Sequence, residues 1–190
     1  MHRTTTNLAR VAAAVGATVL AGTLLASPAD AYGDVRVNNV QVIDTSTCEV
    51  NHPSQAKYVY KVNGGCSVPD SADGTFFQRD GGGPPYQAAA AKTEIYTKGV
   101  LRGKVEFHPY GEKVWIYDTS NDGDTLWFRI VNDDTNRSLG DYRPPGTSAK
   151  LDHRVIDLDL PETTDVRIEV YDDAAYGGLV DRLTLNYGRA

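Results

Sequence analysis

The stretch Gly103–Val131, GKVEFHPYGEKVWIYDTSNDGDTLWFRIV, decides the fold class. Three runs rich in β-branched and aromatic residues, KVEFH, KVWIYD and TLWFRIV, are separated by two clusters of turn formers, PYGE and TSNDGD. That order predicts a three-stranded antiparallel meander. On its N-terminal side, VRVNNVQV (Val35–Val42), KYVYKV (Lys57–Val62) and TEIYTKGV (Thr93–Val100) also read as strands. On its C-terminal side, HRVIDLDL sets Ile156, Leu158 and Leu160 against Val155, Asp157 and Asp159, while DVRIEVYD sets Val166, Ile168 and Val170 against Arg167, Glu169 and Tyr171. Pro161–Thr164 would be the turn of that second hairpin, and LTLNY (Leu183–Tyr187) the last strand. An apolar face opposite a polar one is the pattern of antiparallel sheets wetted on one side, so the expected fold is all-β, an antiparallel β-sandwich of about eight or nine short strands.

Three stretches fall outside this pattern. Gln87–Lys92, QAAAAK, is a helix signal of barely more than one turn that could equally enter the next strand. Ser67–Pro85, with Pro69, Gly74, Gly81–Gly83 and Pro84–Pro85, reads as a loop or linker, and Asn132–Asp152 as a long connection without periodicity. The expected organisation is a leader over residues 1–31, an extended segment over 32–66, a Gly/Pro-rich linker over 67–92 and the sandwich core over 93–190.

The leader is read from Arg3 and Arg10 in a polar lead, the apolar run Val11–Ala26 and the Ala29-Asp30-Ala31 pattern of a signal-peptidase site. The run is shorter than the ~20 residues a membrane-spanning helix needs, and no second apolar segment follows. Export to the extracellular space is therefore expected, with no membrane partner. Losing the leader removes two cations and one anion, which takes the formal net charge from −6 to −7. An acidic chain without a Lys/Arg cluster is no partner for nucleic acid. Cys48 and Cys66, the only cysteines, make an even pair in an exported chain and predict a disulfide.

Two constellations suggest binding chemistry. Asp118, Ser120 and Asp122 before Gly123 match the first half of a calcium loop, and Asp124 could add a ligand. Arg129 stands where that loop needs a bidentate Glu, and Asn121-Asp122-Gly123 also suits a plain hairpin turn, so no cofactor is expected beyond this weak calcium candidate. If Val114 and Ile116 face the core, Trp115 and Tyr117 share the other face, where Trp127 could join them to stack on sugar rings or anchor a protein. A strand apolar on both sides is more often covered on both, and that is the expectation for VWIY. His52, His108 and His153 stand alone, and no nucleophile elbow, zinc helix or phosphate loop occurs, so an enzyme is not expected. Partner binding remains. Arg137, Tyr142 and Arg143 are residue types that anchor interfaces, and the extended segment with Val35, Val37, Val40 and Val42 could add as a strand to a partner's sheet.

The spacing of Gly103, Val105, Phe107, Gly111, Glu112, Asp118, Asp122 and Gly123 resembles that of small secreted β-proteins of actinobacterial type. Some proteins of this kind are similar to the adaptor subunits that join lectin and stalk subunits in secreted umbrella-shaped toxin particles, where an extended N-terminus docks into the stalk. The resemblance covers a small part of the chain and implies a non-catalytic adaptor, with docking at Tyr32–Val62 and protein partners in an extracellular complex. The alternatives are a carbohydrate-binding module, for which a glycan would be the partner, and an inhibitor of a secreted enzyme.

Overall fold

The computed structural model describes residues 35–50, 59–79, 89–120, 125–145, 151–171 and 179–189. The expected leader, Gly81–Gly83 and the Pro84–Pro85 pair lie outside them. Among the described residues there is no helix, and thirteen strands form antiparallel sheets. They are β1 (Val35–Asp44), β2 (Glu49–Val50), β3 (Tyr60–Val62), β4 (Gly65–Val68), β5 (Thr75–Gln78), β6 (Ala89–Thr97), β7 (Val100–His108), β8 (Lys113–Asp118), β9 (Trp127–Asn132), β10 (Arg137–Tyr142), β11 (Asp152–Asp157), β12 (Asp165–Tyr171) and β13 (Leu179–Arg189). No helix among these residues is long and apolar enough to cross a membrane.

The main sheet runs β10-β9-β12-β13-β6-β7-β8-β11, with β1 paired along β6. It folds over on itself as a sandwich. Val105 and Phe107 of β7, Val114 and Ile116 of β8 and Ile156 of β11 pack against Phe128 and Ile130 of β9 and Val166, Ile168 and Val170 of β12. Burying each such side chain contributes about 1.5–3 kcal/mol, and this core is the main source of stability. Gly103 sits where β7 enters it. A Cβ there would meet Leu126 Cδ1 at 2.7 Å and the Tyr117 carbonyl at 2.8 Å, so the layers close only over a residue without a side chain.

A third, smaller layer lies outside the sandwich. Strands β3-β4-β5 form a separate sheet whose Cys66, Val68 and Phe77 pack on Ile43 of β1 and Ala90 of β6. The expected disulfide joins Cys48 to Cys66 with a Cα–Cα separation of 5.5 Å and ties this layer to the end of β1. Closing a loop of that length contributes about 3 kcal/mol.

Several connections differ from the sequence-based expectation. The β7–β8 hairpin is as predicted: Pro109–Glu112 turns the chain, and Glu112 N–H donates to Pro109 O at 3.0 Å. The third run of the meander leaves it, however. Strand β8 pairs with β7 and β11, whereas β9 pairs with β10 and β12, so the link after Asp118 crosses between layers. The predicted hairpin of Pro161–Thr164 is likewise a crossover, since β11 lies beside β8 and β12 between β9 and β13. The connection Asn132–Asp152 contains β10, whose register shifts between Ser138 and Gly140. The linker 67–92 holds β5 and the start of β6, and Ala89–Lys92 is strand instead of helix. Three small residues in a row suit that place: Ala89 and Ala91 pack into the sandwich and Ala90 under the small sheet, so the backbone is crowded from both sides.

Candidate functional site

Cross-strand register writes an ordered grid on the face of β6-β7-β8-β11 that points away from the sandwich core. One row reads Glu94, Lys104, Tyr117, His153, and the next reads Lys92, Glu106, Trp115, Val155. The charges alternate in sign between neighbours, which favours the pairing of β6 with β7. The β3-β4-β5 layer covers the charged half: Lys92, Glu94, Lys104 and Glu106 are all buried, with Lys104 at 0 % exposure.

Asp70, in the loop before β5, is the hub of the covered half. Its Oδ1 accepts from the backbone N–H groups of Ala72, Asp73 and Gly74 at 2.9, 3.1 and 3.0 Å. Its Oδ2 lies 3.1 Å from Lys92 Nζ and 3.0 Å from Lys104 Nζ. Lys104 also meets Glu106 Oε1 at 2.6 Å and pairs with Asp73. The Thr75 hydroxyl lies 2.8 Å from Asp70 Oδ2 and 2.6 Å from Glu106 Oε1, with one proton to share between them. His108 Nε2–H donates to Glu106 Oε2 at 2.8 Å. Glu94 accepts from Ser71 N–H at 2.8 Å and from the Tyr96 hydroxyl at 2.8 Å. One aspartate thus pins the small layer onto two lysines of the large one.

These contacts set the protonation states. Burial alone would raise the Asp70 carboxyl, but Lys92 and Lys104 and the Thr75 hydrogen bond hold it well below the usual carboxylate range. Burial opposes ionisation of Glu106 as well, and the His108 hydrogen bond with the Lys104 charge brings it below its ordinary value. For Lys104, burial would lower the ammonium, yet Glu106, Asp73 and Asp70 together raise it. The Tyr117 phenol is pushed far up by burial and by Glu106, so it stays protonated. A depressed carboxyl contributes stability that is present above its unfolded value and is lost as the pH falls through its folded value. The ordinary values are 3.8 for Asp70 and 4.5 for Glu106. Thermal melts should therefore hold level from neutral pH to about pH 5 and fall steeply below about pH 4, and Asp70→Asn should start lower and show a flatter acid limb. An equally steep acid limb in that variant would remove Asp70 from its place as hub.

The uncovered half is aromatic. A cleft of about 430 Å³ opens where the small layer ends, lined by Asp73, Phe76 and Gln78 on one side and by Glu106, His108, Tyr110, Lys113, Trp115 and Tyr117 on the other. Trp115 is half-buried, its ring 5.6 Å from His153 and nearly parallel at 8°, and 5.5 Å from His108. Lys104 Nζ sits 4.3 Å over the Tyr117 ring. Phe76 and Tyr110 are about half exposed, at 49 % and 51 %.

Asp70, Asp73 and Glu106 each bring an oxygen within 4.8 Å of the others, but the Lys104 ammonium already supplies the cation at their centre. Glu106, ionised and engaged by Lys104 and His108, has neither the raised pKa of a general acid nor the freedom of a base. Covering of VWIY on both sides is corrected in part: Val114 and Ile116 are core, while Trp115 lines the open cleft. Trp127 does not join it, for it stands on the other layer under the Arg143 guanidinium at 5.4 Å.

The remaining candidates are dispersed. Val35, Val37 and Val42 pair with Thr97, Ile95 and Ala91 of β6, and Val40 falls at the register shift between Asn38 and Gln41. Val42 is in the core and Val37 packs against it, so this segment serves as a strand of its own sheet. Arg137 and Tyr142 lie on β10, with Arg143 just beyond. Asp118 Oδ1 accepts from Ser120 N–H at 2.8 Å, and Ser120 Oγ accepts from Arg102 at 3.0 Å, which places a guanidinium beside two of the calcium candidates. Asp122 and Asp124 are outside the described residues. The ionic hub was missed in the sequence, although the alternations Lys92-x-Glu94 and Lys104-x-Glu106 on consecutive strands were its visible trace.

No family model, curated protein or solved structure matches this chain.

Proposed function

We propose that the protein is a secreted, non-catalytic adaptor that holds a protein partner in an extracellular complex, by accepting an extended strand at the seam between β10 and β11. The observation that carries this reading is the sheet path itself. Strands β10 and β11 are its two ends, each paired on one side among the described residues, and they come together where the Arg154 guanidinium of β11 lies 5.3 Å from the Tyr142 ring of β10. An unclosed seam of this kind offers main-chain donors and acceptors to an added strand. The pairing of β11 with β8 is regular, without a bulge, and the strand contains neither Pro nor Lys, its charges being Asp152, Arg154 and Asp157. Val155 is 40 % exposed on it. Of the interface-type residues, Tyr142 stands at this seam, Arg137 lies at the start of the same strand and Arg143 just beyond its end. Neutralisation of every carboxylate at the cleft floor supports the non-catalytic part of the reading. Affinity purification of the tagged full chain from culture medium should recover it with a second protein; recovery as a free monomer only would sink the proposal.

A further inference from the structure

We infer that the aromatic cleft beside the small layer is a second binding site, which takes a neutral sugar ring. The inference goes beyond the adaptor reading and uses none of the seam residues. Its volume of about 430 Å³ is within the range of small-ligand sites. The chemistry of the walls selects the occupant. Aromatic groups Phe76, Tyr110 and Trp115 line it together with the polar side chains Asp73, Gln78, His108 and Lys113. At the floor Lys104 already pairs with Asp73 and Glu106, so neither an anion nor a cation finds an uncompensated partner there. A wholly apolar ligand would strip water from Gln78, Lys113 and Asp73 without replacing it, which is costly. A pyranose avoids these penalties. Its C–H face carries a small positive potential suited to the negative face of an indole or phenol, and its hydroxyls both donate and accept toward the polar rim.

The cleft is also held ready before any ligand arrives. Trp115 is flanked by His153 and His108, and His108 is anchored on Glu106, which Lys104 holds in turn. Side chains ordered in advance lose little freedom on binding. The ionic hub thus acts as the support of the sugar platform, and Trp115 is the residue a ring would stack on.

The test is titration of the full-length mature protein with tetrasaccharides of β-linked glucose, mannose, xylose and N-acetylglucosamine, followed by tryptophan fluorescence and calorimetry, with a sulfated tetrasaccharide as charged comparison. Saturable binding of at least one neutral probe is expected, weakened about tenfold or more by Trp115→Ala and by Tyr110→Ala, the latter at an exposed turn position where folding is not at stake. Trp127→Ala, on the other layer, should leave affinity within about twofold. Absence of saturation by every neutral probe up to about 10 mM would overturn the inference, as would preference for the sulfated probe or affinity indifferent to both cleft variants. Arg154→Glu, at a position paired with the core-facing Ile116 and so on the opposite face of β11 from Trp115, should leave sugar affinity unchanged, which separates failure of this site from failure of the adaptor reading.

Discussion

Replacing Lys104 by methionine is expected to destabilise the protein by about 3–5 kcal/mol, a fall of about 10 °C in melting temperature or more. Methionine matches the length of the lysine stem, so little packing is lost. What is lost is the cation that Asp70, Asp73 and Glu106 share; Asp70 keeps Lys92, while removing this partner of a buried ionic cluster leaves Glu106 without its ammonium. The sign of the pH dependence should reverse as well. Carboxylates crowded without their ammonium have raised pKa values, so their penalty is relieved as they take up protons, and the variant should gain stability between about pH 7 and pH 5 where the wild type is level. Lys104→Met combined with Glu106→Gln should recover part of the loss. A single variant within about 1 kcal/mol of wild type at neutral pH would mean that the charged grid is solvated and the small layer is no true cover.

Deleting Val35–Val42 is expected to abolish cooperative unfolding altogether. All eight of these residues belong to the paired or bulged run of β1 along β6, and Val42 enters the sandwich core, with Val37 packed against it. Losing Val37 and Val42 from the core together with the hydrogen-bonded ladder along β6 removes an amount comparable to the roughly 5–15 kcal/mol that a domain has in hand. A docking arm, as the sequence suggested, would behave otherwise: the truncated protein would melt cooperatively within a few degrees of the intact one. Circular dichroism melts of the two chains distinguish these outcomes. A preserved transition would return Val35–Val42 to the role of a partner-seeking strand.

The fold class was legible because alternation and turn chemistry are local. Strand β7, the Pro109–Glu112 turn and β8 could be read directly, as could the cysteine pair. Connectivity was less so, since the residues that turn a chain within a sheet also carry it between sheets. The Asp118–Ser120 hydrogen bond closes a turn either way, and nothing in TSNDGD marks the crossover. Strand β10 was hidden by Gly140 and by a composition of Arg, Ser, Gly and Asp that lacks strand-forming bulk. Ala89–Ala91 looked helical because alanine is the best helix former, whereas in the fold the same small side chains are required by layers on both sides.

The candidate site was legible only in part. Trp115 and Tyr117 were correctly placed opposite Val114 and Ile116, which follows from a period of two. Lys92, Glu94, Lys104 and Glu106 carry no local mark of burial, because charges alternating with apolar residues normally face solvent. Their burial depends on a third layer built from Gly65–Val68 and Thr75–Gln78, short strands inside a stretch that reads as linker. Asp70 joins the two only in three dimensions. Arg154 and Tyr142 likewise come from segments ten and more residues apart, and their meeting at the seam is a property of how the sheet curls.

The adaptor reading is tested most directly by comparing the wild type with a chain carrying Arg154→Glu and Val155→Lys, both exposed positions of β11, in affinity recovery from the same culture medium. A charged guard on that edge should prevent strand addition while costing the domain less than about 1 kcal/mol. The account predicts that the wild type is recovered with its protein partner and the guarded chain alone, with matching melting temperatures. Recovery of the partner by both chains, or by neither, would contradict it.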